Sequence, residues 1–483
     1  MKEPSPPAQE SRAVGLKSSD VEHGSFRDRN GRVFYWDGAV FRGLSQGALD
    51  NWELLSSKEF FHRLLADGKI VATERVGLDG LEVSSELQGW SGYLRHEKIP
   101  FVSYPYEWSF GMLKDAALLQ LELLTLALDA DMTLKDSSGF NFQWHGAKPV
   151  FIDVPSFEPL TPGEPWVGYQ QFCEMFLYPL FLQAYKNVPF HAWLRGRIDG
   201  IEGEQLRRLM SLRDVFRSGV FTHLYLQSRM QTRLENTNQD LKRDLRKAGF
   251  SQELIKVNVR NLSNLVRGLK WKQSHLPWSH YSDESPCGEL DRRHKEDFVR
   301  GVVGARRRGL VWDLGSNTGA FSRIAAKNAE LVIAMDSDHV AVEQLYLALK
   351  DEGNTSIQPL LYDIADPSPR VGWRLLERKS LTDRGKPDLT LCLSLLHHLV
   401  LGSNIPLNEV IGWLRDLDSE LVIEFVPKDD PMVKKLLLNR LDEFADYDLK
   451  KFERWLSEAF NIKRREELRT SSRILYHAVP RSA

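Results

Sequence analysis

What most constrains this chain is a turn between residues 311 and 322. An apolar strand, Val311-Trp312, meets an acid, Asp313, and then two glycines spaced as Gly315-Ser316-Asn317-Thr318-Gly319, ahead of a helix. The next apolar run, Leu331-Val332-Ile333-Ala334-Met335, ends in Asp336. Strand, glycine turn, helix and second strand together make the front half of a nucleotide-binding α/β unit. Its ligand lies at the carboxyl ends of an open parallel sheet.

The residue types narrow the ligand. Glycines after the first strand let the backbone turn sharply and let a ligand lie against main-chain N–H groups. A carboxylate at the tip of the second strand is placed to accept both ribose hydroxyls. A dinucleotide site reads G-x-G-x-x-G, with glycine at the third position to admit a pyrophosphate. Here that position is Asn317, and Asp313 stands just before the turn. An acid there repels a pyrophosphate and suits an ammonium or sulfonium group. The pattern therefore favours a nucleoside bearing an amino-acid tail over NAD.

From about Asp291 to the C-terminus the chain resembles the class I S-adenosylmethionine-dependent methyltransferases, whose fold is a Rossmann-like seven-stranded sheet. The resemblance implies that Asp313, Gly315, Ser316, Asn317 and Gly319 hold the methionine part and that Asp336 binds the ribose. It implies an adenine contact at the next strand tip, Leu360-Leu361-Tyr362-Asp363-Ile364, with Asp363 facing the exocyclic amine. Asp366 is near enough to share that contact. The fourth strand, residues 388–394, leads through Ser394 into Leu395-Leu396-His397-His398-Leu399, and the fifth is Leu421-Val422-Ile423-Glu424-Phe425. Residues 460–464 and 473–479 match the antiparallel hairpin that closes such sheets. An ordinary strand-to-helix turn and an N-capping Asp336 are the plainer alternatives, and five strand tips in order speak against them. His397, His398 and Glu424 are the candidate catalytic residues, in no order, because an acceptor that carries a proton needs a base. Packed, hydrogen-bonded histidines are the plainer reading. No Pro-Pro-Tyr amide-methylating signature or paired-cysteine RNA mechanism follows the fourth strand.

The chain of 483 residues, 42% of them hydrophobic, is long enough for two or three domains with cores. A net charge of −2 gives no nucleic-acid footprint. Cys173, Cys287 and Cys392 are scattered, make neither a metal set nor a disulfide framework, and fit a reducing cytoplasm. No metal site is expected. The first 22 residues read as a polar, proline-bearing tail, not a signal peptide. The most apolar helical stretch, residues 116–128, is broken by Gln120 and Glu122 and is too short to span a membrane. Residues 176–182 read as a buried helix broken at Pro179.

Nearly three hundred residues precede this region, and residues 23–211 read as an α+β accessory domain. Apolar–polar alternation over residues 32–41, around Asn30-Gly31 and Asp37-Gly38, predicts a β-hairpin. Helices are expected near residues 57–66 and 112–129, with an extended segment at 99–106. Then Asp136, Asn141 and Asp153 stand in the order of an acid, an amide in the same loop and an acid ending a short hairpin. Kinase-type phosphotransferases hold a base and magnesium ligands in that order. Residues 32–211 thus resemble the small-molecule kinase and aminoglycoside-phosphotransferase fold. The loop lacks the usual His and Arg before Asp136, no Phe-Gly follows Asp153, and Gly68-Lys69-Ile70-Val71 is a meagre phosphate loop. Turn and cap residues are the plainer reading. A degenerate domain that binds or presents the methyl acceptor follows, and ATP with magnesium enters only if the domain is active. Residues 212–290 read as a helical connector and cofactor lid, with Tyr281 in the lid.

The reading is an S-adenosylmethionine-dependent methyltransferase acting on an unidentified acceptor. A bifunctional phosphotransferase/methyltransferase and a non-catalytic nucleoside-binding scaffold are its rivals. Some nodulation-associated methyltransferase-like proteins have a similar layout.

Overall fold

Alternating apolar and polar residues on either side of Asp37-Gly38 build the first hairpin, β1 (Gly31–Trp36) with β2 (Ala39–Leu44). Asp37 and Gly38 take φ of 48° and 74°, the left-handed pair that matches strand twist in a tight hairpin turn. In this computed structural model, which describes residues 21–77, 89–226, 251–272, 286–438 and 444–481, β3 (Thr73–Val76) and β4 (Gly92–His96) complete an antiparallel sheet in the order β1-β2-β4-β3. Helices α1 (Gln46–Ser56) and α2 (Glu59–Ala66) connect β2 to β3, where the sequence predicts one helix.

The long helix α3 (Phe110–Asp129) starts two residues before its predicted position, because the Ser109 hydroxyl accepts the Met112 N–H and caps it. It is apolar nearly all round and buried nearly all round. After it come β5 (Met132–Leu134), the hairpin β6 (Phe142–His145) and β7 (Lys148–Phe151), and β8 (Phe157–Pro159), which pairs with β5. Residues 99–106 are extended up to a 3-10 turn, Pro105–Glu107. The apolar stretch around Pro179 is buried, with Pro179 in the first turn of helix Tyr178–Lys186. In the expected connector, helix Gln252–Gly268 lays Ile255, Val259, Leu262 and Val266 against α3. Tyr281 lies outside the described residues.

The C-terminal half forms one seven-stranded sheet from β9 (Arg308–Leu314), β10 (Ala329–Asp336), β11 (Ile357–Leu361), β12 (Leu389–Cys392), β13 (Glu420–Phe425), β14 (Phe460–Glu467) and β15 (Ile474–Pro480). The order is β11-β10-β9-β12-β13-β15-β14, the first five parallel and the last two an antiparallel hairpin. The central strands are near-continuous apolar runs, as burial on both faces requires. β11 ends at Leu361, so Tyr362 and Asp363 lie beyond the ladder. No helix among the described residues is long and apolar enough to cross a membrane.

One large apolar core runs through both halves, and Phe34 and Phe41 form a small separate cluster in the first sheet. At their junction Arg384, between β11 and β12, makes a two-pronged ion pair with Glu107 at 2.7 and 2.8 Å, and both side chains are sealed from water. Arg384 also donates to the Val102 carbonyl and lies over the rings of Phe101 and Tyr104. The buried Glu343, on helix His339–Asp351, accepts the Gly111 N–H at 2.8 Å in the first turn of α3. A carboxylate there matches the positive end of the helix. Gln358 of β11 donates to Ser103 at 2.9 Å, and the Ala147 N–H donates to the Asn354 carbonyl at 3.0 Å.

Removing one partner of a buried ion pair strands the other. Arg384→Met is expected to lower unfolding free energy by about 3–5 kcal/mol, and Arg384→Met with Glu107→Leu to recover most of that loss. Urea unfolding of the three proteins measures both.

Candidate active site

Strand order reverses between β9 and β12, the place where open parallel sheets bind ligands, and the loop after β9 lies there. Gly315, Asn317 and Gly319 have φ of 73°, 47° and 80°. A Cβ on Gly319 would stand 2.6 Å from Leu345, so both space and backbone demand glycine there. The N–H groups of Gly315 and Ser316 both donate to the Met335 carbonyl at 2.9 Å, which ties the loop to β10. The hydroxyl of Ser316 is buried and has no hydrogen-bond partner among the described residues.

Asp336 ends β10. Its two carboxylate oxygens accept the N–H groups of Asn317 and Asp338, each at 2.8 Å. Burial raises its pKa, and those two N–H groups oppose the rise. Each oxygen keeps a further lone pair for a hydroxyl. Asp338 caps the following helix by accepting the N–H groups of Val340 and Ala341, so the cap role belongs to Asp338 rather than to Asp336.

Asp313, at the end of β9 before this loop, is only 1% exposed. The Ser322 hydroxyl donates to it at 2.5 Å. Burial pushes its carboxyl up to about 7, with the nearby Asp336 adding to the rise. Beyond β11, Asp363 is exposed and accepts the Ala365 N–H at 2.8 Å, with Ile364 half-buried beside it. Asp366 is committed elsewhere, in an ion pair with Arg195 at 2.7 Å.

On the far side of the crevice the candidate bases differ sharply. Glu424 is fully buried; its Oε2 accepts the Ser394 N–H and hydroxyl at 2.8 and 2.9 Å, and Lys295 lies 2.6 Å from its Oε1. Burial opposes its ionisation, but Lys295 and Arg473 hold it below the usual carboxyl range. Glu424, expected among the candidate bases, is thus ion-paired to Lys295 and hydrogen-bonded to Ser394, whose φ is 53°. His397 is 2% exposed, and burial, with His398 next, drives it down to about 3. His398 is half-buried and lowered by burial and then by Arg473, and the two rings lie 4.2 Å apart. Of the three, His398 is the least buried.

In the N-terminal half, Asp136, Asn141 and Asp153 do converge. Burial, and then the charge of Asp153, push Asp136 upward against the amides of Asn141 and Gln171. Arg42, on β2, holds Asp153 at 2.5 Å. Arg42, Lys295 and Arg473 are site residues that sequence reasoning missed. Arg42 is the one cation of its strand, Lys295 stands in a helix rich in charges and Arg473 just before β15, and nothing local marks any of them. Among the described residues no group of three His, Cys, Asp or Glu side chains could hold a metal ion.

An acid whose folded-state pKa is raised binds its proton more tightly when folded, so its contribution to stability is lost as pH rises from about 4 to about 7. Asp313→Asn removes that loss. Its stability relative to wild type is expected to increase between pH 5 and pH 8, by up to about 3 kcal/mol. Urea midpoints at the two pH values check it.

No protein-family model matches the chain. Among solved structures, the N-methyltransferase NodS from Bradyrhizobium japonicum, in complex with S-adenosyl-L-homocysteine, aligns at 13% identity and a TM-score of 0.31, over 41% of this chain and 90% of that one. The magnesium protoporphyrin IX methyltransferase ChlM from Synechocystis, with bound SAM, aligns at 19% identity and a TM-score of 0.29, over 44% and 87%. Among curated proteins, nodulation protein NoeA from Rhizobium meliloti is 33% identical over 460 residues, 94% of either chain. On that whole-length identity, the chain belongs to the NoeA family.

Proposed function

We propose that this protein transfers a methyl group from S-adenosylmethionine to an acceptor bound beside His398. The observation that carries the reading is Asp336. It is a carboxylate fixed over a glycine turn by two backbone N–H groups, at the carboxyl edge of the sheet where strand order reverses. Three further features fit the cofactor: the unpartnered Ser316 hydroxyl in the loop, the glycine at 319 where a side chain would intrude, and an acid beneath the loop that a cation above would return to its charged form. Asp336 would take the ribose hydroxyls, Asp363 the adenine amine and Ile364 its ring. Bound there, the cofactor supplies an electrophilic methyl group. The chain's part is to orient it, exclude water and give His398 as the proton acceptor.

For the N-terminal half we propose a kinase-like fold that presents the acceptor and does not transfer phosphate. Arg42 neutralises Asp153, and the amide of Asn141 lies against Asp136, so the donor set does not fit a magnesium ion. The nodulation name of the family relative makes extracts of a nodulating bacterium the first place to seek the acceptor.

Two measurements test the reading. Calorimetric titration with S-adenosylmethionine is expected to show one site, weakened about tenfold or more by Asp336→Ala, since each tenfold is about 1.4 kcal/mol; equal affinities would remove the ribose assignment. Incubation with methyl-labelled cofactor and fractionated extract is expected to label one fraction. His398→Ala should slow that labelling about a hundredfold, the low end for a lost proton acceptor, with cofactor affinity unchanged. Binding without transfer to any fraction would favour the scaffold.

A further inference from the structure

A groove of about 740 Å3 lies along the outer face of α3, walled by the β6–β7 turn, helix Gln252–Gly268 and the end of helix His339–Asp351. Its volume is that of a small-molecule site. It is remote from the methyl-transfer crevice: helix His339–Asp351 begins beside Asp336 and reaches the groove only at Leu349 and Lys350. Its thirteen residues put the two sites roughly 18 Å apart.

The lining sorts into two kinds of surface. Leu118, Leu126 and Leu349 give an apolar floor. Leu118 and Leu126 stand two helical turns apart on one face of α3, so the floor is elongated. Four basic side chains rim it, against two carboxylates. Both carboxylates are already answered: Glu122 by Lys69 at 2.7 Å and Asp115 by Lys350 at 2.6 Å. That leaves Lys148 and Arg267, on opposite walls, with no carboxylate partner among the described residues. Lys148 donates to the Asp67 backbone carbonyl and Arg267 to the Asn264 amide oxygen. Two uncompensated cations over an apolar strip match a molecule with an acidic head and an apolar body, and repel a cationic one.

We propose that this groove binds a soluble amphiphilic anion, a carboxylate, sulfate or phosphate carried on an elongated apolar body. The acidic head sits between Lys148 and Arg267, and the body lies along Leu118 and Leu126. The proposal does not depend on the methyl-transfer reading.

Anilinonaphthalene sulfonate, an anionic dye with an apolar ring system, is the probe, titrated by fluorescence against the full chain. One saturable site is expected, with the uncharged phenylnaphthylamine bound about tenfold more weakly or worse. Lys148→Glu with Arg267→Glu should cost the anionic dye about tenfold and leave the neutral dye unchanged. Thr125→Trp, at an exposed position on the groove floor, should exclude both dyes; circular dichroism and thermal melting confirm that the variants fold. Equal binding of the two dyes, or affinities that neither variant moves, would overturn the proposal. So would association with phosphatidylglycerol vesicles when the soluble dye does not bind.

Discussion

Glu107 and Arg384 share a place from which water is excluded, and much of the molecule is arranged so that neither charge is left alone there. Glu107 belongs to the turn that leads into α3, and Arg384 to the segment that joins β11 to β12. One pair thus fixes the entrance of the longest buried helix against the edge of the large sheet. Ring faces of Phe101 and Tyr104 flank the guanidinium and complete its desolvation. Charged groups in such a setting are tolerated only when geometry is good and the spare donors are used, and Arg384 spends one on the Val102 carbonyl. The apolar core is continuous through this junction, so the N-terminal half is a structural partner of the sheet and not an appendage.

The crevice obeys the same logic with the signs unbalanced. On one side, Asp336 accepts two backbone N–H groups, while burial pushes the Asp313 carboxyl up to about 7. On the other, Glu424 is met by Lys295, Ser394 and Arg473. Asp336 on β10 and Glu424 on β13, with β9 and β12 between them, therefore stand in opposite surroundings. The difference lies in what surrounds them, not in residue type.

That difference marks the limit of what the sequence discloses. The sheet is legible because buried parallel strands must be apolar runs, and the turns because Gly315 and Gly319 answer local backbone needs. Asp336 is legible because it terminates a run. The end of β11 is not, since Leu360-Leu361-Tyr362 reads as strand while the ladder stops at Leu361. Nor is the fate of Glu424. Its partners come from helix Pro286–Gly304 and from the residue before β15, and only tertiary packing brings them together. The same holds for Arg42, which lies across from Asp153 only once the small sheet closes over the β6–β7 hairpin. In the N-terminal half the order Asp136, Asn141, Asp153 foretells convergence, and a cation from another element decides what the convergence means.

Helix His339–Asp351 ties the end of β10 to α3. Its capping residue neighbours the acid at the tip of β10, Glu343 closes the start of α3, and Tyr346 donates to Asp115 of α3. A helix clamped at its middle and attached to a binding loop at its first turn is a lever with a fixed fulcrum. Cutting the chain between the halves would strip this helix of the partners on α3 that clamp its middle.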